Sequence, residues 1–472
     1  MRAVGKITFL KRAVAGAVIV AALGAAPSRA ENLADALVDA YNNSSLLEQN
    51  RALLRAADED VGLAMSTLRP VINFIIEAQR DYSKTTSSLG ILTRRNNSNL
   101  VPQLVAQWTL FDGGARKFNV AARKETVLAT RQTLLSIEQS ILLRAIAAYF
   151  NVQLQIENVA IQRNNLRVLG EELRAAQDRF DVGEVTRTDV ALAQSRVAAA
   201  RSNLATAQGD LENARAEFTN AVGRGPRALA AQTRLPAPPR SVDAAQAFAA
   251  RNHPDILAAQ HQVKAAELGI QSARKGLGPS VDARAQLSVT DQMNSSTRRD
   301  DAFLSLRLQQ PLYQGGGLAA QVRRTMAQRD AARGNLLTVQ RNVLQDVDDA
   351  FVQLTVARAS LIATAERVRA AQVAFDGIRE EATLGARTTL DVLTAEQELL
   401  NARIAQVTAR TEQSVAAYQL LSAQGVLTAE RLGLAVQIYD PAAYYNLTKD
   451  APAASSKQSK QLDRVLRALG KR

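Results

Sequence analysis

Imidazoles, thiols and paired carboxylates are where metal, covalent and proton chemistry would begin, and this sequence offers few of them. Cysteine is absent from the 472 residues, which removes thiolate metal sites, a cysteine nucleophile and a disulfide framework. The only histidines, His253 and His261, lie eight positions apart beside Lys264 and Glu267. No third ligand stands at helical spacing from them, so they read as two histidines on the polar side of a helix rather than a metal site. No phosphate-binding P-loop, nucleophile elbow or HExxH zinc helix occurs. The expectation is a protein that is not an enzyme and holds no cofactor and no metal.

A net charge of +13 invites a nucleic-acid reading until the charge is located. Arg2, Lys6, Lys11, Arg12 and Arg29 precede residue 31 with no acid among them, and residues 447–472 carry seven Lys/Arg against Asp450 and Asp463. The long stretch between the two ends keeps only +3, so no basic face is required and no nucleic-acid partner is expected. The basic start runs into an apolar stretch, 13–26, and then Ser28-Arg29-Ala30. That stretch is short of the roughly 20 residues a membrane-spanning helix needs, and the small residues suit a signal peptidase. Residues 1–30 are therefore read as a cleaved signal peptide, with Glu31 first in the mature chain. No later segment reads as a transmembrane helix, so a membrane part must consist of strands.

The elements that follow come in two copies. At an offset of 202, Leu110-Phe111-Asp112-Gly113-Gly114 falls on Leu312-Tyr313-Gln314-Gly315-Gly316, Gly183 on Gly385, Asp189-Val190 on Asp391-Val392, and Gly223 on Gly425. Pro70 falls on Pro279 at 209, so the first copy holds seven extra residues, assigned to a loop. Val281, Ala283, Ala285 and Leu287 alternate with Asp282, Arg284 and Gln286, and Ala302, Leu304, Leu306 and Leu308 with Asp301, Ser305 and Arg307. Such period-two patterning describes a strand between oil and water. The first copy repeats it with Leu104, Ala106, Trp108 and Leu110, and polar loops are expected at 83–99 and 291–300. Trp108, the only tryptophan, is placed as a membrane-interface anchor. Four strands cannot close a barrel, so several chains must share one.

The remaining sequence predicts helix. Residues 114–181 and 316–383 are free of proline, each about 100 Å long at 1.5 Å per residue. Each ends in a glycine turn, and shorter helices at 190–222 with 244–275, and 34–68 with 392–424, sum to the same length. Leu166, Leu169, Leu173, Ala176 and Phe180, with Val190, Ala193, Val197, Ala200 and Ala207, follow a 3,4 spacing with alanine between larger residues, a coiled-coil seam of closely spaced axes. Composition agrees: 47% hydrophobic but 4% aromatic residues suit thin, tightly packed helices.

From about residue 32 to 437 the sequence resembles the TolC family of bacterial outer-membrane efflux channels. The resemblance rests on the duplication, Pro70 and Pro279, the LFDGG and LYQGG junctions, and the motifs RFDVGEVTRTDV (179–190) and TLGARTTLDVL (383–393). It implies a mainly α fold with a membrane β-barrel portion, in which a homotrimer shares a twelve-stranded barrel continued by a coiled-coil α-helical periplasmic barrel. It also implies an exit duct for efflux pumps or type I secretion. Expected partners are outer-membrane lipid, a periplasmic adaptor and an inner-membrane pump of RND or ABC type. The implied organisation is signal 1–30, first repeat 31–225 with β-hairpin 70–111 and tip 181–189, equatorial linker 226–243, second repeat 244–427 with β-hairpin 279–312 and tip 383–391, equatorial segment 428–446, and a basic flexible tail 447–472. By position, Asp189 and Arg387 match a link between neighbouring hairpins that holds the entrance closed, and Asp391 matches a lumen-facing acid. Gly183 and Gly385 mark the tips where an adaptor docks. The family's assisting tyrosine is Ala382 here, and its second ring acid is Thr394. Asp189 and Asp391 also fit helix N-terminal capping. On the residues alone a periplasmic coiled-coil scaffold or adaptor without its own channel stays open, and the amphipathic strands are what tell the two apart.

Overall fold

The computed structural model describes residues 31–230, 234–293, 296–450, 453 and 456–468, so the expected signal segment 1–30 lies outside the described residues. In chain order the elements are α1 (Leu33–Asn43), α2 (Ser45–Ser66), β1 (Val71–Thr86), β2 (Leu92–Phe111), α3 (Ala115–Asp181), α4 (Arg187–Val222), α5 (Val242–Asn252), α6 (Pro254–Lys275), β3 (Ser280–Gln292), β4 (Arg298–Gln309), α7 (Gly317–Thr383), α8 (Thr389–Ala423), α9 (Pro441–Thr448) and α10 (Lys457–Ala468). The duplication holds element by element. Helices α1 and α2 have 11 and 22 residues, as do α5 and α6, and α3 and α7 have 67 each.

Two helices expected to be continuous, 34–68 and 244–275, are each broken once, at the equivalent residues Ser44 and His253. Pro254 has no N–H to continue a helix and pushes the residue before it to extended backbone, φ −67° and ψ 127°. His253 is buried and caps α6, its Nδ1 accepting from the Asp255 N–H at 3.2 Å. Ser44 caps α2 in the same way, its Oγ accepting from the Leu47 N–H at 3.2 Å. Only His261 keeps the expected place on a helix side, its Nδ1 2.7 Å from Glu125 Oε2.

The chain folds as two compact units, and each draws on both repeats. The first comprises Met1–Asn43, Arg144–Ala237 and Val356–Ala417. Its core follows the predicted seam: Leu169, Val197, Ala200 and Leu393 pack together, and Ala176, Ala193 and Ala207 are buried, while Phe180 at the end of the seam is exposed. Glu31 is sunk in this unit. Its backbone bridges Leu229 in parallel and its carboxylate is held by Arg224, whose Nη2 lies 2.7 Å from Glu31 Oε1 and whose Nε lies 2.7 Å from Asp39 Oδ2.

The second unit comprises Ser44–Leu143, Pro238–Thr355 and Tyr418–Arg472. It holds an antiparallel sheet of order β1-β2-β3-β4. The strands run well into the segments expected as loops, leaving only 87–91 and 293–297 as connections, with Thr86 paired to Leu92 and Asp291 to Arg298. The seven extra residues of the first copy thus lengthen its strands instead of its loop. Polar strand ends such as Arg94, Arg95 and Asn96 lack the alternation by which a sequence announces a strand, and backbone pairing alone carries them. The tail, expected as flexible, contains α10, in which Leu462 and Val465 at i and i+3 share one side and Lys457, Lys460, Arg464 and Arg467 another. Helix α3 also contains a window apolar enough by composition to cross a membrane, contrary to expectation. More than half of that window is buried inside the protein, as a packed core helix requires.

Candidate functional site

The sheet is the first functional surface. Directly paired residues of neighbouring strands point to the same side, so the register sorts the side chains. Phe74, Leu104, Leu287 and Ala302 fall in one row, Ile72, Ala106, Ala285 and Leu304 in the next, and Trp108, Ala283 and Leu306 in a third. These rows form a single apolar face, and its large side chains are exposed. The opposite face carries Gln107, Arg284 and Ser305, then Gln103 and Ser288, then Thr109, Asp282 and Arg307. Its polar groups bond to one another: Gln286 Nε2 donates to Gln103 Oε1 at 2.9 Å, and the Thr109 hydroxyl to Asp282 Oδ1 at 2.6 Å. Trp108 is on the apolar face near the β2 end, with its indole N–H donating to the Leu68 carbonyl at 3.0 Å. β1 and β4 are open edges in the single chain.

The hairpin tips of the first unit are the second surface, and the two are built alike. Asp181 and Thr383 end the long helices. At the first tip the Gly183 N–H donates to Phe180 O and the Glu184 N–H to Arg179 O, both at 2.9 Å; at the second, Gly385 donates to Ala382 O at 3.1 Å and Ala386 to Glu381 O at 2.9 Å. This paired closure needs a left-handed residue, which Gly183 (φ 85°) and Gly385 (φ 78°) supply. A Cβ at either glycine would meet nothing, so backbone conformation, not crowding, selects glycine there. Threonine and aspartate then start the returning helices. Asp189 Oδ2 accepts from the Thr186 N–H at 2.9 Å and hydroxyl at 2.7 Å; Asp391 Oδ2 accepts from Thr388 at 3.0 and 2.8 Å. Those bonds hold both carboxyls below the usual range.

The structure does not bring Asp189 and Arg387 together within one chain. Arg387 Nε instead donates to Glu381 Oε2 at 2.7 Å, across its own turn. Ala382 is buried against Val168, Phe375, Val392 and Leu399, so the position where the family has tyrosine serves packing in this chain. The Thr394 hydroxyl donates to the Leu390 carbonyl at 2.8 Å. Sequence reading passed over two groups. Val182 and Leu384, equivalent residues beside the tip glycines, are 71% and 79% exposed; an apolar residue in a turn motif was the available signal. Beneath the tips, Glu396 is buried and burial raises its carboxyl above the usual range against the pull of Arg403, while Glu172 pairs with Arg379 at 3.4 Å. Among the described residues no cluster of His, Asp or Glu is placed to hold a metal ion.

Comparison with known proteins places this geometry. The sequence profile of the Outer membrane efflux protein family matches residues 36–224 and 248–426. The chain is 36% identical over 450 residues to Outer membrane efflux protein BepC of Brucella suis biovar 1 (strain 1330), which covers 93% of this chain and 96% of that protein. It is 27% identical over 207 residues to Outer membrane protein TolC of Escherichia coli (strain K12), or 41% of this chain and 42% of TolC. The Campylobacter jejuni CmeC outer membrane channel shares the fold with a TM-score of 0.75 at 16% identity, over 90% of each chain. A duplicated chain of long helical hairpins with a two-faced four-stranded sheet, matched by that profile over both repeats, belongs to the outer membrane efflux protein family.

Proposed function

We propose that three copies of this chain form one exit duct, with their twelve strands closed into a barrel in the outer membrane and their helices continuing through the periplasm. The observation that carries this is the sheet: one face apolar and exposed over the rows from Phe74 to Leu306, the other mainly polar and internally bonded over the same rows, with both edge strands open. Unpaired backbone at β1 and β4 is prohibitive in lipid, and pairing β4 of one copy with β1 of the next removes it. Two copies give eight strands, whose interior side chains fill the barrel; three give twelve and leave a channel. Outer-membrane lipid meets the apolar face, with Trp108 as the interface anchor. Residues 226–243 and 428–446 form the equatorial belt, and residues 1–30 are removed before Glu31.

The duct opens at the tips, where a periplasmic adaptor docks around Gly183 and Gly385 on the exposed Val182 and Leu384 and connects it to an inner-membrane pump of the RND or ABC type. Asp189 of one copy links to Arg387 of the next in the closed entrance, and Asp391 faces the lumen. Light scattering on the purified protein, corrected for detergent, is expected to give a trimer mass. A monomer or dimer mass overturns the proposal.

A further inference from the structure

One fully buried acid of the second unit takes no part in the duct. Asp58, on α2, is 0% exposed, and neither of its carboxylate oxygens has a hydrogen-bond partner. Around it the C-terminal segment is clasped to the helices. The Tyr444 hydroxyl donates to Glu59 Oε1 at 2.8 Å, Arg51 lies 5.2 Å over the ring of Tyr439, and Arg131 of α3 lies 5.2 Å over the ring of Tyr445. The charged groups acting on Asp58 are Arg131 of α3 and Glu59 of its own helix; Asp58 acts in turn on Tyr439, Tyr444 and Tyr445 of the C-terminal segment, and Arg51 and Arg55 of the same helix also face Tyr439. Arg131 does not form an ion pair with Asp58, and its Nε has no hydrogen-bond partner.

A fully buried ionised carboxylate with neither hydrogen bond nor ion pair is strongly disfavoured, whereas the neutral acid is tolerated. We propose that residues 436–450 form a pH-dependent clasp, docked on α2 while Asp58 keeps its proton and loosened when that proton is lost. Helix α10 touches α9, so its Lys457, Lys460, Arg464 and Arg467 are released with the segment.

Burial pushes the Asp58 carboxyl up to about 7, against the opposing charge of Arg131 and with help from Glu59. With the segment undocked, Asp58 meets water and returns toward its ordinary value of 3.8. Docking therefore takes up one proton between these values. The docked fraction relative to undocked falls tenfold per pH unit across that window and levels off above it. Between pH 5.5 and pH 8 the fall is about thirtyfold, because only the part below about 7 counts.

The test is hydrogen exchange by mass spectrometry on the full chain in detergent, following peptides over 436–450 from pH 5 to pH 8.5 with rates corrected for intrinsic exchange. Protection in the wild type is expected to fall about thirtyfold between pH 5.5 and pH 8 and to flatten above about pH 7, while Asp58→Asn stays protected throughout. Wild-type protection that is flat over this range overturns the clasp. So does an Asp58→Asn profile that falls like the wild type, since another group then titrates. Should the Asn variant fail to fold, the wild-type profile decides alone: flattening near pH 7 supports the clasp, and a fall that continues unchanged to pH 8.5 overturns it.

Discussion

At the scale of single residues the tips separate conformation from contact. Gly183 and Gly385 sit in the left-handed region with open space around them, so any L-residue strains the backbone there and asparagine strains it least. Gly183→Asn and Gly385→Asn are expected to keep normal protein levels and normal efflux, whereas Trp at either position blocks efflux in an assembled protein. Drug susceptibility of the four strains checks this, and equal loss with Asn and Trp sinks the docking role of the tips. Arg387 carries a second test. Its partner inside the chain is Glu381, so in the proposed closed entrance Glu381 would compete with a neighbour's Asp189 for one guanidinium. Arg387→Ser is expected to raise single-channel conductance in planar bilayers, and Glu381→Gln to lower it by freeing Arg387 for the neighbour. Unchanged conductance in both places the latch elsewhere. A capping role for Asp189 and Asp391 was legible, because a cap is a local bond, but the cap itself is the threonine three residues earlier at the first tip, with Asp189 reaching back to it. The Glu381 partner was not legible, since six positions across a turn match no helical period.

At the scale of elements, length was more legible than interruption. Prolines and glycines bracket α3 and α7, and the structure returns 67 residues for each. The break at Ser44 was hidden because a serine ends a helix only when its side chain finds the next N–H, whereas the break at His253 was signalled by Pro254 and was passed over. Two predictions follow from how the elements are joined. Arg224 is the cation for both Glu31 and Asp39, and Glu31 is buried. Arg224→Met strands that carboxylate, which costs about 3 kcal/mol; the double variant Glu31→Gln with Arg224→Met is expected to recover much of it in urea unfolding. If the double variant is as unstable as the single one, the pair is not what holds residue 31. Glu396, buried beneath the tip, has its carboxyl raised. The folded hairpin then binds a proton that the unfolded chain has released, so its stability declines as pH rises from the ordinary carboxylate range toward the raised value. Glu396→Gln is expected to flatten that decline, read as thermal midpoints at pH 5 and pH 8.

At the scale of the molecule, the question is which parts carry the information for assembly. In the proposed barrel the sheet cannot be stable in lipid with β1 and β4 open, and its register already sets an apolar face against a mainly polar one. Both faces were legible where apolar and polar residues alternate strictly, as at 281–289, and invisible at 92–99, where arginine and asparagine dominate. Nothing in that argument uses the last residues. Residues 451–472 carry most of the basic charge of the C-terminal end, and the described part of α10 presents Lys457, Lys460 and Arg464 to solvent. A helix of 12 residues is marginal on its own, and its removal opens no strand edge and uncovers none of the seam residues between the long helices. Deleting 451–472 is therefore expected to leave the detergent-corrected mass of a trimer and the barrel's resistance to heating in detergent unchanged, while lowering the net positive charge. Should the truncated chain run as a monomer with its strands intact, assembly would depend on contacts made by the tail, and the open sheet edges would not be sufficient to drive it.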